Sequence, residues 1–204
     1  MQVRDKIIQS ADSLFKMRGA KVVTMDDISS NLGISKKTLY SKFSNKADVV
    51  QAVTLSHFES HKRDLEEINK KASDPIHEII LIMDWMNRTF QGISSLLIFD
   101  IQKYYPEAWM VFNEFRNKES YEMIKDNLEK GILAGLYRPD LDVEILARLR
   151  IEEIGYCMSG QVYAPEKFDI PKVHMQLLEH FLHGVVTLKG KRVINKYLNR
   201  NEEE

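Results

Sequence analysis

The sequence predicts an all-α fold of about nine helices, with a small three-helix unit at the N-terminus and a larger helical body behind it. Three observations carry this. Apolar residues recur at helical spacing through nearly every segment, and no stretch alternates as a half-buried strand would. Prolines stand where helices begin, at Asp74-Pro75, Tyr105-Pro106 and Ile170-Pro171. Glycines stand where short helices end, at Gly19 and Gly33.

The elements follow in order. Ile7, Ile8, Ala11, Leu14 and Phe15 form one stripe of a first helix, which Gly19 ends as a left-handed cap. Thr24 with Asp27 three residues on is a variant capping box for a second helix, carrying Ile28 and Leu32 one turn apart. Gly33 makes the turn, because glycine tolerates positive φ. Ser35 caps a third helix running to about Phe43, and Ser44-Asn45 opens a long fourth. The proline signals start later helices. "GLYRPDLD" (135–142) reads as a stop, a turn and a new start.

Length and composition fit an ordinary globular chain of one large or two small domains. Arg4, Asp5 and Lys6 lead into amphipathic sequence, not the apolar block of a signal peptide. The longest apolar patch, "LLIFDI", is far shorter than the ~20 residues of a membrane span. A cytoplasmic protein with no membrane partner is expected. The lone Cys157 excludes an internal disulfide and a multi-cysteine zinc site. Charge is split: residues 1–50 carry nine Lys/Arg against five Asp/Glu, a net +4, and the remainder twenty against twenty-five, a net −5. A basic head on an acidic body points the head at a polyanion.

"GISKKTLYSKFSNKA" (33–47) sharpens that. Leu39 and Phe43, with Ile8, Ala11, Phe15, Val23, Ile28, Leu32 and Ile34, suit a small three-helix core. The other face offers Ser35, Lys36, Lys37, Thr38, Tyr40 and Lys42, and no carboxylate falls within the segment. Lysines and hydroxyls hold phosphates, lysine donates to guanine edges, and threonine touches a thymine methyl, so this face suits a DNA major groove.

The ordered pattern Thr24, Asp27-Ile28, Leu32-Gly33-Ile34-Ser35, Thr38-Leu39-Tyr40, Phe43, Lys46 resembles the DNA-binding segment of TetR-family (tetracycline-repressor-like) regulators, over residues 7–49. Ala11, Leu14, Phe15 and Gly19 belong to the match. The resemblance implies that Thr24 caps the second helix near a phosphate, and that Ser35, Lys36, Lys37 and Thr38 face base edges or phosphates. It implies that Tyr40 meets phosphate or a thymine methyl and that Lys46 meets the backbone. Lys37 and Lys42 replace the Gly and His often found in the family, so the operator cannot be borrowed from relatives.

A division follows: residues 1–46 as the helix-turn-helix domain, residues 47–204 as a helical ligand-binding and dimerisation domain. Residues 83–123 hold nine of the nineteen aromatics, with four methionines among them. Mobile methionine and amphipathic aromatics suit an apolar pocket. The expected lining is Met83, Met86, Phe90, Phe99, Trp109, Phe112 and Tyr121, with Tyr156 from further on. The last helices are apolar around more than one face, which suits a four-helix interface between two copies. Leu146, Leu149, Leu178, Phe181, Leu182 and Val185 are expected there, with Gly155, Gly160 and Gly184 permitting close approach. The resemblance implies the same homodimer.

His57/His61 and His180/His183 are metal-like pairs, yet neither alone supplies the three or four ligands of zinc. No Gly-rich phosphate loop and no nucleophile elbow occurs. No cofactor and no enzymatic activity are expected. The expected function is a ligand-responsive regulator: a repressor that binds a palindromic duplex operator as a homodimer and is released by an unidentified small molecule. The alternatives are a helical enzyme using the aromatic cavity and an adaptor that binds protein through its final helices.

Overall fold

Helix periodicity and local caps build the head. The computed structural model describes residues 2–90, 95–159, 162–164 and 166–198, without the side chains of Phe90, Ser95, Leu96, Met158 and Ser159. Helix α1 (Val3–Arg18) buries Ile7, Ala11, Leu14 and Phe15. Gly19 ends it at φ 81° and ψ 156°, positive in φ but outside the left-handed helical region expected there. Thr24 and Asp27 close a full capping box on α2 (Met25–Leu32). Gly33 is left-handed at φ 67°, ψ 32°. Ser35 caps α3 (Lys36–Tyr40) by accepting from the Thr38 N–H. The third helix therefore stops short of Phe43; the Ser41 hydroxyl donates to the Thr38 carbonyl, and the chain turns.

Asn45 caps α4 (Lys46–Lys71), which leaves the head without a break. Its first turns contribute Val49, Val50, Ala52 and Val53 to the same core as Phe15, Ile28, Leu39 and Phe43. Tyr105 and Ala108 of the body join that core. Packing is thus continuous across position 46.

The body comprises α5 (Pro75–Phe90), α6 (Ser95–Tyr104), α7 (Pro106–Phe115), α8 (Tyr121–Leu133), α9 (Val143–Ser159), α10 (Ile170–Val185) and α11 (Leu188–Leu198). Asp74 accepts from the N–H groups of Ile76 and His77 to start α5, and Asp142 from that of Ile145 to start α9. A π-helical turn, Arg116–Ser120, joins α7 to α8 as one rod. Among the described residues there are eleven α-helical segments, against about nine expected. One addition comes from the end of α10: Val186 is extended, pairs with Tyr137 as an isolated β-bridge, and α11 begins two residues later. A second core of Ile76, Leu128, Tyr137, Ala147, Leu182 and Ile194 holds α5, α8, α9, α10 and α11 together. Among the described residues no helix is long and apolar enough to cross a membrane.

Candidate nucleic-acid interface and inner cavity

Burial of Leu39 fixes the rotation of α3, and with it the face the head presents. Ser35, Lys36, Lys37, Tyr40 and Lys42 are exposed, and Thr38 is half-buried. The Thr24 hydroxyl is engaged in its cap, donating to Asp27 at 2.6 Å and accepting from the Asp27 N–H at 3.1 Å. Ser35 and Thr38 share a hydroxyl hydrogen bond of 2.8 Å.

Two lysines are not placed as the linear sequence suggests. The Lys36 ammonium donates to Asp26 at 2.7 Å, so α2 supplies the carboxylate that the segment itself lacks. The Lys46 ammonium turns back to the Lys21 carbonyl at 2.7 Å, over the Tyr105 ring, and burial lowers its pKa. Among the described residues Lys37 and Lys42 make no ion pair and remain the open cations of this face.

The turn between α1 and α2 is gripped from the body. Asp100 on α6 is buried and accepts from the Lys21 N–H at 2.8 Å. Tyr105 donates to the Ala20 carbonyl at 3.3 Å, and the Lys21 ammonium sits over the Tyr104 ring. A side chain at Gly19 would place Cβ 2.8 Å from the Asp100 carboxylate, so glycine is required both by its φ and by this close approach. On the other flank the His57 Nε2–H of α4 donates to Asp12 at 2.7 Å, and Lys16 pairs with the same carboxylate at 2.9 Å. Burial works to raise the Asp12 pKa, but the bonds from His57 and Lys16 outweigh it and the net shift is downward.

Beyond that junction lies a cavity of about 160 Å³, bounded by α4, α5, the α7–α8 rod, α9 and α10. Its walls are largely hydrocarbon: Phe58 and Leu65 from α4, Ile82 and Trp85 from α5, Phe112 and Phe115 from α7. Of the residues expected to line a pocket, Met86 and Phe112 do. Met83 packs on the second core. Trp109 stacks on the Phe112 ring at 4.6 Å without reaching the cavity, and Tyr121 turns its hydroxyl to Glu144. Phe99 lies under Lys103 at the α6 surface, Tyr156 is exposed, and the Phe90 side chain lies outside the described residues. The polar residues of the cavity rim were not among those expected. Arg150 and His174, both buried, border the cavity together with Arg116 and Glu78.

Residues 7–53 match the family model of the bacterial regulatory proteins, tetR family. The head of the chain is thus of the TetR-family DNA-binding type. Regulators of that family bind DNA, and this chain carries the helix-turn-helix of a DNA-binding transcription regulator. The chain is 29% identical over 193 residues to the HTH-type transcriptional repressor KstR2 of Mycolicibacterium smegmatis, covering 93% of each chain. Its fold matches the ketosteroid transcriptional regulator KstR2 of Mycobacterium tuberculosis with a TM-score of 0.61 at 23% identity, over 91% of this chain and 96% of that one. A transcriptional regulator from Cytophaga hutchinsonii matches at 0.73 and 19% identity, over 90% and 98%. At these identities the two structures speak to fold.

The residues expected at a dimer interface divide. Leu178, Leu182 and Val185 are buried inside the protomer, because the inward face of α10 packs on α5 and α9; Leu178 and Phe181 line the cavity. These are corrected from interface to interior. Leu146 is half-buried against the second core. Leu149 is 50% exposed, and Ile145 and Tyr156 flank it on the same outward stripe of α9. Gly155 is used within the protomer, since its Cβ would fall 2.2 Å from the Arg116 guanidinium. Gly184 faces open space, and Gly160 lies outside the described residues. Among the described residues no group of three or more His, Cys, Asp or Glu could hold a metal. Cys157 is fully buried, and burial raises its thiol to about 11, the opposite of an activated thiolate.

Proposed function

We propose that this regulator is a repressor that binds a palindromic operator as a homodimer and leaves it when a small molecule fills the inner cavity. Residues 1–46 carry the DNA contacts, and residues 47–204 carry the cavity and the dimer contacts. The observation that carries the reading is the α3 face, where the open cations Lys37 and Lys42 stand beside Ser35, Thr38 and Tyr40 on a helix locked by Leu39. Thr24 and Lys36 lie at the edge of that face. Lys46 reaches phosphate only by releasing the Lys21 carbonyl.

The dimer forms through the outward faces of α9 and α10, around Ile145, Leu149, Tyr156 and Gly184, and sets two α3 helices about 34 Å apart. Release works through the turn at residues 19–21. Its partners Asp100, Tyr104 and Tyr105 sit where α6 meets α7, the helix whose far end forms a cavity wall. A ligand that favours a displaced α7 shifts the population away from the DNA-binding arrangement.

Selection from a random duplex pool tests the reading: one enriched palindrome is expected, and no enrichment would count against it. On that palindrome, the paired Lys37→Ala and Lys42→Ala variant is expected to lose tenfold or more in affinity. Its salt slope should fall by about 3.6, roughly 0.9 for each of the four phosphate contacts removed from the two protomers. An unchanged slope places both side chains off the DNA. In sedimentation, Leu149→Glu is expected to convert the dimer to monomer with its helical content intact. A dimer that persists unchanged moves the interface elsewhere.

A further inference from the structure

Hydrocarbon walls need no ions, yet the cavity has two guanidinium groups on its border. Arg150 from α9 is only 3% exposed and is held by Glu153 at 3.0 Å. Taking such a pair out of water carries a large desolvation penalty, and well-packed apolar side chains generally serve stability at least as well. Arg116, from the π-helical turn, lies with its guanidinium against Gly155 on the same helix as Arg150. π-Helical turns recur at functional sites.

The imidazole of His174 on α10 borders the same space, and its Nδ1 is buried with no hydrogen-bond partner in the protein. Leaving such a nitrogen unmatched is costly, so it calls for an explanation beyond packing. Burial, aided by the neighbouring Arg150 charge, depresses the His174 pKa to about 3. The ring is therefore neutral at cellular pH, and Nδ1 can carry a proton to donate without bringing a second charge. The carboxylate at the cavity, Glu78, is already engaged. Its oxygens accept from Asn69 at 2.8 Å and Asn127 at 2.7 Å, and Tyr137 completes the network by donating to Asn127 at 2.9 Å. A cationic ligand would have to compete with both amides for Glu78, whereas an anion meets Arg150, Arg116 and the unmatched nitrogen of His174.

We propose that the effector is a small apolar carboxylic acid, its carboxylate set on the Arg150 guanidinium and accepting from His174 Nδ1–H, its hydrocarbon body against Phe58, Trp85 and Phe112. This rests on the reading of the cavity as the effector site. The size follows from the volume. A dry apolar cavity of about 150 Å³ holds benzene, so about 160 Å³ admits a single ring or a short branched chain beside the head group.

Three molecules with one body and different heads test this: cyclohexanecarboxylate, cyclohexanecarboxamide and cyclohexylmethylamine. Each is titrated calorimetrically into the full chain, and separately into its complex with the selected palindrome. The carboxylate is expected to bind at least tenfold tighter than either analogue, and His174→Leu to reduce that preference several-fold. Arg150→Met alone strands the Glu153 carboxylate, so the paired Arg150→Met and Glu153→Gln variant is used, with a thermal melt to show that it folds. It is expected to bind the carboxylate no better than the amide.

Equal or tighter binding of the amide or amine overturns the inference, as does the absence of binding by all three. Carboxylate binding without DNA release upholds the carboxylate site at Arg150 and His174 but overturns the reading of the cavity as the effector site. DNA release by the amide as readily as by the acid keeps the effector reading and overturns the inference.

Discussion

Between pH 7.5 and pH 4.5 the fold is expected to lose about 5 kcal/mol of stability through two histidines, His174 and His61. Burial and Arg150 hold the His174 pKa near 3. Burial, with the neighbouring His57, holds that of His61 near 4, where it packs edge-on to Trp85 on the cavity wall. In the unfolded chain both titrate at 6.5. The folded pKa is the lower one, so below 6.5 the unfolded chain takes up protons that the native state refuses. Stability is thus full above pH 6.5 and falls continuously toward the folded values.

Each histidine costs roughly 2.5–3 kcal/mol by pH 4.5, a large share of the ~5–15 kcal/mol of an ordinary domain. The lowered carboxylates Asp12, Asp27 and Glu144 act with the same sign at lower pH. Their contribution is present above the unfolded value and disappears as pH falls through the folded one. Urea midpoints at the two pH values should show His174→Leu and His61→Leu each recovering about half of the acid loss. An acid loss of the same size in wild type and both variants would refute the assignment.

Gly131→Ala is expected to cost roughly 3 kcal/mol or more, at the upper end of overpacking effects. Its Cβ would fall 2.0 Å from Cδ2 of the Tyr137 ring. That ring cannot retreat. Its hydroxyl is bonded to Asn127 at 2.9 Å and to the Pro75 carbonyl at 3.3 Å, and its backbone N–H donates to the Gly131 carbonyl at 3.0 Å. Tyr137 also pairs with Val186, so the strain spreads to the α10–α11 junction. Glu129→Ala, on the exposed face of the same helix, is the control. Thermal melts of the two variants should differ by many degrees; matching melts would mean that the Tyr137 ring moves aside freely.

Local signals were legible in the sequence because their causes are local. The Thr24 box, the left-handed Gly33, the Ser35 cap and the Asp74 start each depend on groups within a few residues. Contacts between distant residues were not. The partner of Lys36 comes from α2, ten residues back, and no helical face of α3 announces it. The break at Val186 interrupts an apolar stripe without proline, and the nearby Gly184 lies inside the last turn of α10 and not at its cap. The cause of the break lies some fifty residues away, where the Val185 carbonyl accepts from the Arg138 N–H and Thr187 N–H donates to Leu136. Thr187 then caps α11 by accepting from the Gly190 N–H, a local sign overshadowed by the stripe.

The cavity shows the same limit. An aromatic cluster contiguous in sequence samples one wall, so Met86 and Phe112 reach the space while Trp109 and Tyr121 point elsewhere. The opposite wall comes from α9 and α10, whose apolar residues are equally suited to an outer interface until the fold chooses for them.

The π-helical turn between α7 and α8 acts as a phase shifter. An α-helix advances about 100° per residue, so one residue inserted without lengthening the rod rotates all that follows against all that precedes. On one side the rod offers Ala108 to the head core and Phe112 to the cavity; on the other it offers Asn127, Leu128 and Gly131 to the body. Those two sets need not share one helical face, because the offset at Arg116–Ser120 reconciles them. Loss of a single residue there would leave a regular helix and a mistimed protein, its two halves each correct and no longer in step.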